Sequence, residues 1–452
     1  MNFAVLPDPV ATARGSDTPC GAVGYSSSSA SPTLGCETRR SIIVSPRKQN
    51  QHMTRIIFMK RISLSLLVAL IAWSPPSAAQ KPNISKSGMD PERLARIAER
   101  MKSFVDRGTI AGAVTLVARR GTVVSLEPVG YQDLESKKPM RADTIFDIRS
   151  VTKPVTAIGI MILIEDGKLA LNDAVEKYLP EFKEAFRKTE QQSIPITIHH
   201  LLTHTSGMLL DRPVEIDDIT IKRDRTLAEV VAILSRQKPE LEPGAQFKYY
   251  SGGFAILGRI IEVVSGQPFE QFMKERIFVP LGMKDSFFFI PPEKLSRVAS
   301  VYRLRNGKLS KWEELEAYAR KAKYPGPEFG MYSTAPDLAA LCQMMLNGGT
   351  FKGRRILSQM SVAVMTQNHT PGLKSAVTQR PSCQGLGWGL SGDPMNDFPL
   401  TSAGSFGHNG AFNAIIWVDP QEKLIRIFLT ARFGAGNEGD IFMAMAGAAV
   451  RD

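Results

Sequence analysis

Cysteine is scarce in this 452-residue chain: there are four, and two of them, Cys20 and Cys36, lie close to the N-terminus. Cys342 and Cys383 are what remain, enough for one disulfide at most, and spacing does not decide whether it forms. No Cys-x-x-Cys or paired zinc knuckle occurs. His200 and His204 have the i, i+4 spacing of zinc sites, but no acid stands between them as in His-Glu-x-x-His, which argues against a metal. The Gly-x-Ser-x-Gly elbow of α/β-hydrolases is missing, as is the phosphate loop Gly-x4-Gly-Lys-Ser/Thr. Gly434–Gly439 spells Gly-x-Gly-x-x-Gly, but the chain ends before a further strand and a ribose-binding acid could follow. It reads as a turn into a last helix. These absences leave no sign of a metal or other cofactor.

Stripes of one charge sign are also missing. The formal net charge is +12, but residues 1–79 carry 8 Lys and Arg against 3 Asp and Glu, so +5 sits there and +7 on the rest. The remaining cations are scattered, as in Arg93–Arg100 and Arg320–Lys323, with no interleaved stacking aromatics, and read as a solvated surface rather than a nucleic-acid site. The one apolar run near the N-terminus, Ile62–Trp73, is too short to span a bilayer comfortably. It follows Met59-Lys60-Arg61 and precedes Ser77-Ala78-Ala79, the three parts of a secretory signal peptide. Met59–Ala79 is therefore expected to direct the protein to the periplasm or outside the cell, leaving no stable membrane span after cleavage. Residues 1–58, rich in Ser, Pro and Gly, do not fit ahead of such a signal, and translation is expected to start at Met59.

What is present is an ordinary globular composition, 43% apolar and 22% charged, long enough for a sizeable core. Pro91–Asp106 has apolar residues at helical spacing. Ala111–Ala118 and Thr122–Leu126 read as strands joined by a hairpin turn at Arg119-Arg120-Gly121. Helical patterns follow: Val155–Asp166, read as amphipathic, then Leu227–Arg236, Phe254–Ser265 and Leu338–Asn347, each ended by a polar or glycine stop. Ala414–Val418 and Leu424–Leu429 return to strand character, and Ile441–Val450 closes the chain as a helix. The expected organisation is an α/β body from 85–149 and 325–452, interrupted by a mainly helical region over 150–324.

A serine hydroxyl is a weak nucleophile and needs a neighbouring base. Ser150-Val-Thr-Lys153 supplies one: if a helix begins at Ser150, residues three apart share a face, and Pro154 fits a first helical turn. A buried lysine can act as a base near neutral pH. Ser-x-x-Lys alone is a weak signal. Around it stand Asp143-Thr-Ile-Phe146 and Glu165-Asp-Gly-Lys-Leu169, then Leu201-Leu-Thr-His-Thr-Ser-Gly207 and Phe247-Lys-Tyr-Tyr-Ser-Gly-Gly253. Tyr332-Ser-Thr-Ala-Pro-Asp337, Gly387-Trp-Gly389 and Phe406-Gly-His-Asn-Gly410 follow. In this order, from about residue 90 onward, the chain resembles the serine β-lactamase-related family of class C β-lactamases, esterases, D-aminopeptidases and some acyltransferases.

The resemblance implies an α+β, β-lactamase/transpeptidase-like fold, an antiparallel sheet flanked by helices plus an all-helical region. It implies Ser150 as nucleophile, Lys153 as its base, and Tyr249 of Tyr249-Tyr250-Ser251 as the group that exchanges protons with the Ser150 hydroxyl and the leaving group. Tyr250 is the alternative, although the Phe-x-Tyr frame favours Tyr249. Ser251 stands where many members have Asn. His408-Asn409-Gly410 takes the place of Lys-Thr-Gly, and the peptide N–H groups of Ser150 and Ala411 are implied as the oxyanion hole. Gly410 would let its strand approach closely. A histidine in place of a fixed cation favours esters over β-lactams, whose carboxylate the Lys would hold. The resemblance puts His199–His204 at a structural helix-to-loop junction, and Trp388 reads as core or cleft wall. Arg149 is left facing solvent or pairing with an acid.

The expected activity is a secreted serine hydrolase acting on small esters through an acyl-enzyme, without cofactor. The alternatives are a β-lactamase or D-amino-acid amidase on the same site, and a peptidoglycan- or penicillin-binding protein that acylates and stalls. Oligomeric state stays open.

Overall fold

The computed structural model describes residues 87–185, 194–208, 219–393 and 398–452; the leader and the signal peptide expected over Met59–Ala79 lie outside them. Arg120 and Gly121 both take positive φ, 51° and 78°, the two-residue turn whose twist suits a hairpin. It joins β1 (Gly112–Arg119) to β2 (Thr122–Asp133). Every residue of β1 is buried, because the strand is central and both its faces are covered.

Five more strands complete an antiparallel sheet: β3 (Lys138–Pro139), β4 (Gly389–Leu390), β5 (Phe406–Asn409), β6 (Ile415–Asp419) and β7 (Leu424–Thr430). The order is β4-β5-β6-β7-β1-β2-β3, so the two ends of the sequence meet where β1 pairs β7. Side chains alternate between faces. Ala113, Val117, Trp417 and Phe428 pack with α1 (Pro91–Asp106) and the last helix, Glu438–Ala448. Val114, Leu116, Ile416 and Ile427 join the larger core with α2 (Thr152–Glu165), α3 (Gly252–Ser265) and α4 (Ala335–Leu346). This is the β-lactamase/transpeptidase-like α+β architecture that the motifs imply.

One local expectation is corrected. The α2 helix is not amphipathic: Thr152 through Leu163 are all buried. Its run Val155–Leu163 carries only one polar side chain, Thr156, and the helical region closes over its outer side, leaving no face for water. The region 150–324 also contains a hairpin, Tyr302–Arg305 with Lys308–Lys311, turned at Asn306-Gly307 with φ 49° and 73°. Asn-Gly between short strands is a strong hairpin signal. Cys342 is a free, buried thiol, so it does not pair with Cys383. Among the described residues, no helix is long and apolar enough to cross a membrane.

Candidate active site

The segment leading into α2 sets the geometry. Phe146–Asp147 is a short strand, Arg149–Val151 a single 3-10 turn, and α2 proper starts at Thr152, so Ser150 lies in the turn just ahead of the helix. Lys153, one residue into α2, is fully buried. Its Nζ donates to Ser150 Oγ at 3.1 Å and to the Glu328 carbonyl at 2.9 Å. The loop 325–331 that supplies this carbonyl is laced to the same turn. Thr156 donates to the Pro327 carbonyl at 2.6 Å, the Met331 N–H to Thr152 Oγ1 at 3.2 Å, and the Ile148 N–H to the Met331 carbonyl at 3.1 Å. A buried amine needs partners for its N–H groups, and this loop supplies one of them.

Of the two adjacent tyrosines, Tyr249 lies by the lysine: its ring centroid is 4.9 Å from Lys153 Nζ. Tyr250 turns the other way, its hydroxyl donating to Gln237 Oε1 at 2.7 Å. Beneath Tyr249 lies His204, stacked at 4.4 Å between ring centroids. The backbone N–H of Tyr250 donates to His204 Nδ1 at 3.1 Å, which leaves the ring proton of a neutral imidazole on Nε2. Burial holds His204 well below the ordinary imidazole range, with Lys153 and His408 adding repulsion. Ser251 is buried at the start of α3, in the same turn as Tyr249.

His408, on β5, faces Tyr249 with ring centroids 6.3 Å apart, and its Nδ1 lies 2.7 Å from the Asn409 carbonyl, which fixes a proton there. Burial, and secondarily Lys153, push it down to about 3. At neutral pH it is therefore an uncharged hydrogen-bonding wall. The stability its neutral form contributes is present in full above 6.5, the unperturbed value, and is lost as pH falls toward about 3. His408 ring resonances are expected to hold their neutral-form positions from pH 8 down to 5 in an NMR titration; movement centred near 6.5 would contradict that burial.

Gly410 ends β5 against the turn that carries Ser150. A Cβ on Gly410 would lie 2.3 Å from the Ile148 carbonyl oxygen and 3.2 Å from Arg149 Cβ. Glycine is thus required for the close approach that brings Ala411, exposed in the next turn, beside Ser150's segment. That turn is pinned by the Gly410 N–H to the Ala414 carbonyl at 2.8 Å, and by Asn413 Nδ2 to the Arg432 carbonyl at 2.9 Å. Gly410→Ala is expected to cost about 1–3 kcal/mol in urea unfolding, the usual range for overpacking, and to slow catalysis as the two segments part.

Sequence reasoning missed several features that depend on distant partners. The three neighbouring histidines serve three purposes: His199 Nε2 meets His369 Nδ1 at 3.1 Å, His200 caps its own helix with Thr197, and His204 supports Tyr249. Of the two expectations for Arg149, the pairing one holds: its Nε lies 3.3 Å from Asp147 Oδ2. Trp388 is wholly buried edge-on to Phe406. Gly434–Gly439 is a turn around a buried ion pair, Arg432 to Glu438 at 2.8 Å. A cavity of about 250 Å³ reaches Asp147 and Tyr332 from the side of the Tyr302–Lys311 hairpin; Ser150, Lys153, Tyr249 and His408 do not line it.

The family model described as Beta-lactamase matches residues 97–449. Esterase EstB of Burkholderia gladioli is 30% identical over 387 residues, covering 78% of this chain and 94% of EstB. Protein Rv1367c of Mycobacterium tuberculosis is 30% identical over 352 residues, covering 73% of this chain and 88% of its own. Among solved structures, EstCE1, a hydrolase with promiscuous acyltransferase activity, superposes with a TM-score of 0.68 at 27% identity, over 80% of this chain and 99% of EstCE1.

Proposed function

This chain belongs to the β-lactamase family, and from that premise we propose that it is a serine hydrolase cleaving small carboxylic esters through an acyl-enzyme on Ser150. The observation that carries the reading is the buried Lys153 Nζ at 3.1 Å from Ser150 Oγ, with Tyr249 over the same nitrogen. Esterase EstB and EstCE1 support the hydrolytic class.

Ser150 Oγ attacks the ester carbonyl carbon while its proton passes to Lys153 Nζ. The carbonyl oxygen becomes an oxyanion facing the peptide N–H groups of Ser150 and Ala411, donors of the kind that contribute about 2.7–4 kcal/mol each. As the C–O bond to the alcohol breaks, the proton held on Lys153 reaches the alkoxide by way of Tyr249. In the second half, water adds to the acyl carbon, its proton moving to Lys153. The acid then departs, and Ser150 Oγ takes the proton back. The proton that Ser150 loses leaves on the alcohol and one from water replaces it, so Ser150 and Lys153 regain their starting states and water is the only co-reactant needed.

The preference for esters rests on His408. A β-lactam presents a carboxylate, and a charge-assisted bond to it is about twice as strong as a neutral one; a buried histidine at about 3 supplies no charge. The test offers the purified protein a short-chain nitrophenyl ester and a chromogenic cephalosporin separately. Ester turnover alone supports the proposal. Efficient cephalosporin turnover makes the protein a β-lactamase instead, and a stoichiometric burst without turnover makes it a binding protein.

The same reading makes the enzyme an exported one, on the signal-peptide pattern of Met59–Ala79. Its mature N-terminus is then Gln80, checked by mass spectrometry of protein from the producing cells; an N-terminus upstream of residue 59 overturns it.

A further inference from the structure

Arg149 precedes the nucleophile and holds a left-handed backbone, φ 48°, a conformation that is uncommon for a residue with a side chain and persists only where its surroundings enforce it. Three walls do so. On the strand side, its N–H donates to Asp147 Oδ1 at 3.2 Å and its Nε lies 3.3 Å from Asp147 Oδ2, within a buried pair. On the loop 325–331 side, its guanidinium lies 5.4 Å from the Phe329 ring centroid, one residue beyond the Glu328 carbonyl that Lys153 binds. On the side of the turn after β5, it lies 4.0 Å from the Phe412 ring centroid, next to Ala411. Phe412 is itself buried, against Phe433 and Trp312, so it is a firm surface rather than a flap.

Resting on the acyl-transfer reading above, we infer that Arg149 is a positioning residue that sets the spacing between the Ser150 and Ala411 peptide N–H groups by clamping Phe412 to the nucleophile's turn. The backbone argument alone does not fix that spacing. Gly410 permits close approach by lacking a side chain, but permission is not restraint. The restraint must bridge the turn Arg149–Val151 and the turn after Gly410. Arg149 does so from the residue adjoining one donor to the residue adjoining the other. A planar guanidinium can stack on an aromatic face and pair a carboxylate at once, which an ammonium does less well. Its effect is exerted through the two N–H groups, not by touching the substrate.

The test measures burst-phase acylation by a nitrophenyl ester, together with kcat, KM and thermal unfolding, in Arg149→Met, Arg149→Lys, Phe412→Leu and the Arg149→Met/Phe412→Leu pair. Acylation is expected to fall about 10–100-fold in Arg149→Met, the scale of a misplaced reacting geometry, with KM within about threefold. Arg149→Lys is expected to recover part of the rate, and the double variant to be no slower than the slower single one, since both break one clamp. Arg149→Met and Phe412→Leu proteins that fold yet acylate within twofold of wild type overturn the inference, as does a double variant whose losses multiply. Should Arg149→Met not fold, Arg149→Lys and Phe412→Leu decide it on the same criterion. A wild-type protein that shows no Ser150-dependent acylation defeats the function proposed above, an outcome separate from a flat Arg149 series.

Discussion

Ser150→Ala is expected to lower ester turnover by about ten thousand- to a million-fold, the range seen when the nucleophile of a coupled serine site is removed. The size follows from what the hydroxyl does. In the proposed mechanism it forms the covalent bond to the acyl group, so without it the two-step route closes and only direct attack by water remains. The donors of the oxyanion hole would still bind the carbonyl, and serine-type sites stripped this way keep a residual advantage of about a thousand- to ten-thousand-fold over water.

The fold is expected to survive that substitution. Ser150 is partly exposed, the change removes one oxygen, and Lys153 keeps its bond to the Glu328 carbonyl at 2.9 Å. The stability change is expected to stay within about 1.5 kcal/mol, the net worth of one hydrogen bond. Two measurements are needed together. Steady-state turnover shows the loss of rate. Intact-mass spectrometry after brief mixing with an ester that acylates fast shows the acyl group on the wild type and none on the variant. A variant that keeps turnover within tenfold, or still acquires the acyl mass, places the nucleophile elsewhere.

How much of this was legible in the sequence depended on the reach of each interaction. The hairpin β1–β2 was readable because its turn is two residues long, and the Ser150–Lys153 proximity because the spacing is three. The pairing of β1 with β7 joins residues more than 300 positions apart, Gly112–Arg119 with Leu424–Thr430, and no local signal specifies it. It came with the ordered set of motifs, as the fold implied by resemblance. The burial of α2 was misread because an apolar run meets its true environment only when the helical region closes over it. At the site, the Glu328 carbonyl on Lys153, the stacking of His204 on Tyr249 and the Phe412 face against Arg149 were out of reach for the same reason. Lys153 reaches a carbonyl 175 residues away, and Arg149 meets its third wall at Phe412 only because Gly410 lets the end of β5 close on the turn Arg149–Val151. Motif residues were visible; the groups that hold them in place were not, because backbone carbonyls and ring faces carry no sequence signature.

Lys153→Ala is the second large effect, expected to cost about a hundred- to ten-thousand-fold in kcat for the lost general base. Taken alone it is ambiguous. Lys153 is fully buried, and removing it takes a donor from the Glu328 carbonyl as well as from the Ser150 hydroxyl. A lost hydrogen bond costs about 0.5–1.5 kcal/mol, so a lost rate also follows if loop 325–331 loosens. Lys153→Arg separates the two. A guanidinium can donate to the same carbonyl but cannot give up its proton in a protein, so it can hold the loop and not serve as a base. Both variants are expected to be inactive at the level of the Ala change. In thermal unfolding, Lys153→Arg is expected to lie closer to wild type unless the larger head group is excluded. The Ser150→Ala/Lys153→Ala pair is expected to be no slower than Ser150→Ala, because a base has nothing to do once its proton donor is gone. A Lys153→Arg enzyme that regains most of the rate would mean that position 153 contributes a fixed positive charge. Proton transfer from Ser150 would then have to run through Tyr249, whose ring centroid lies 4.9 Å from that nitrogen.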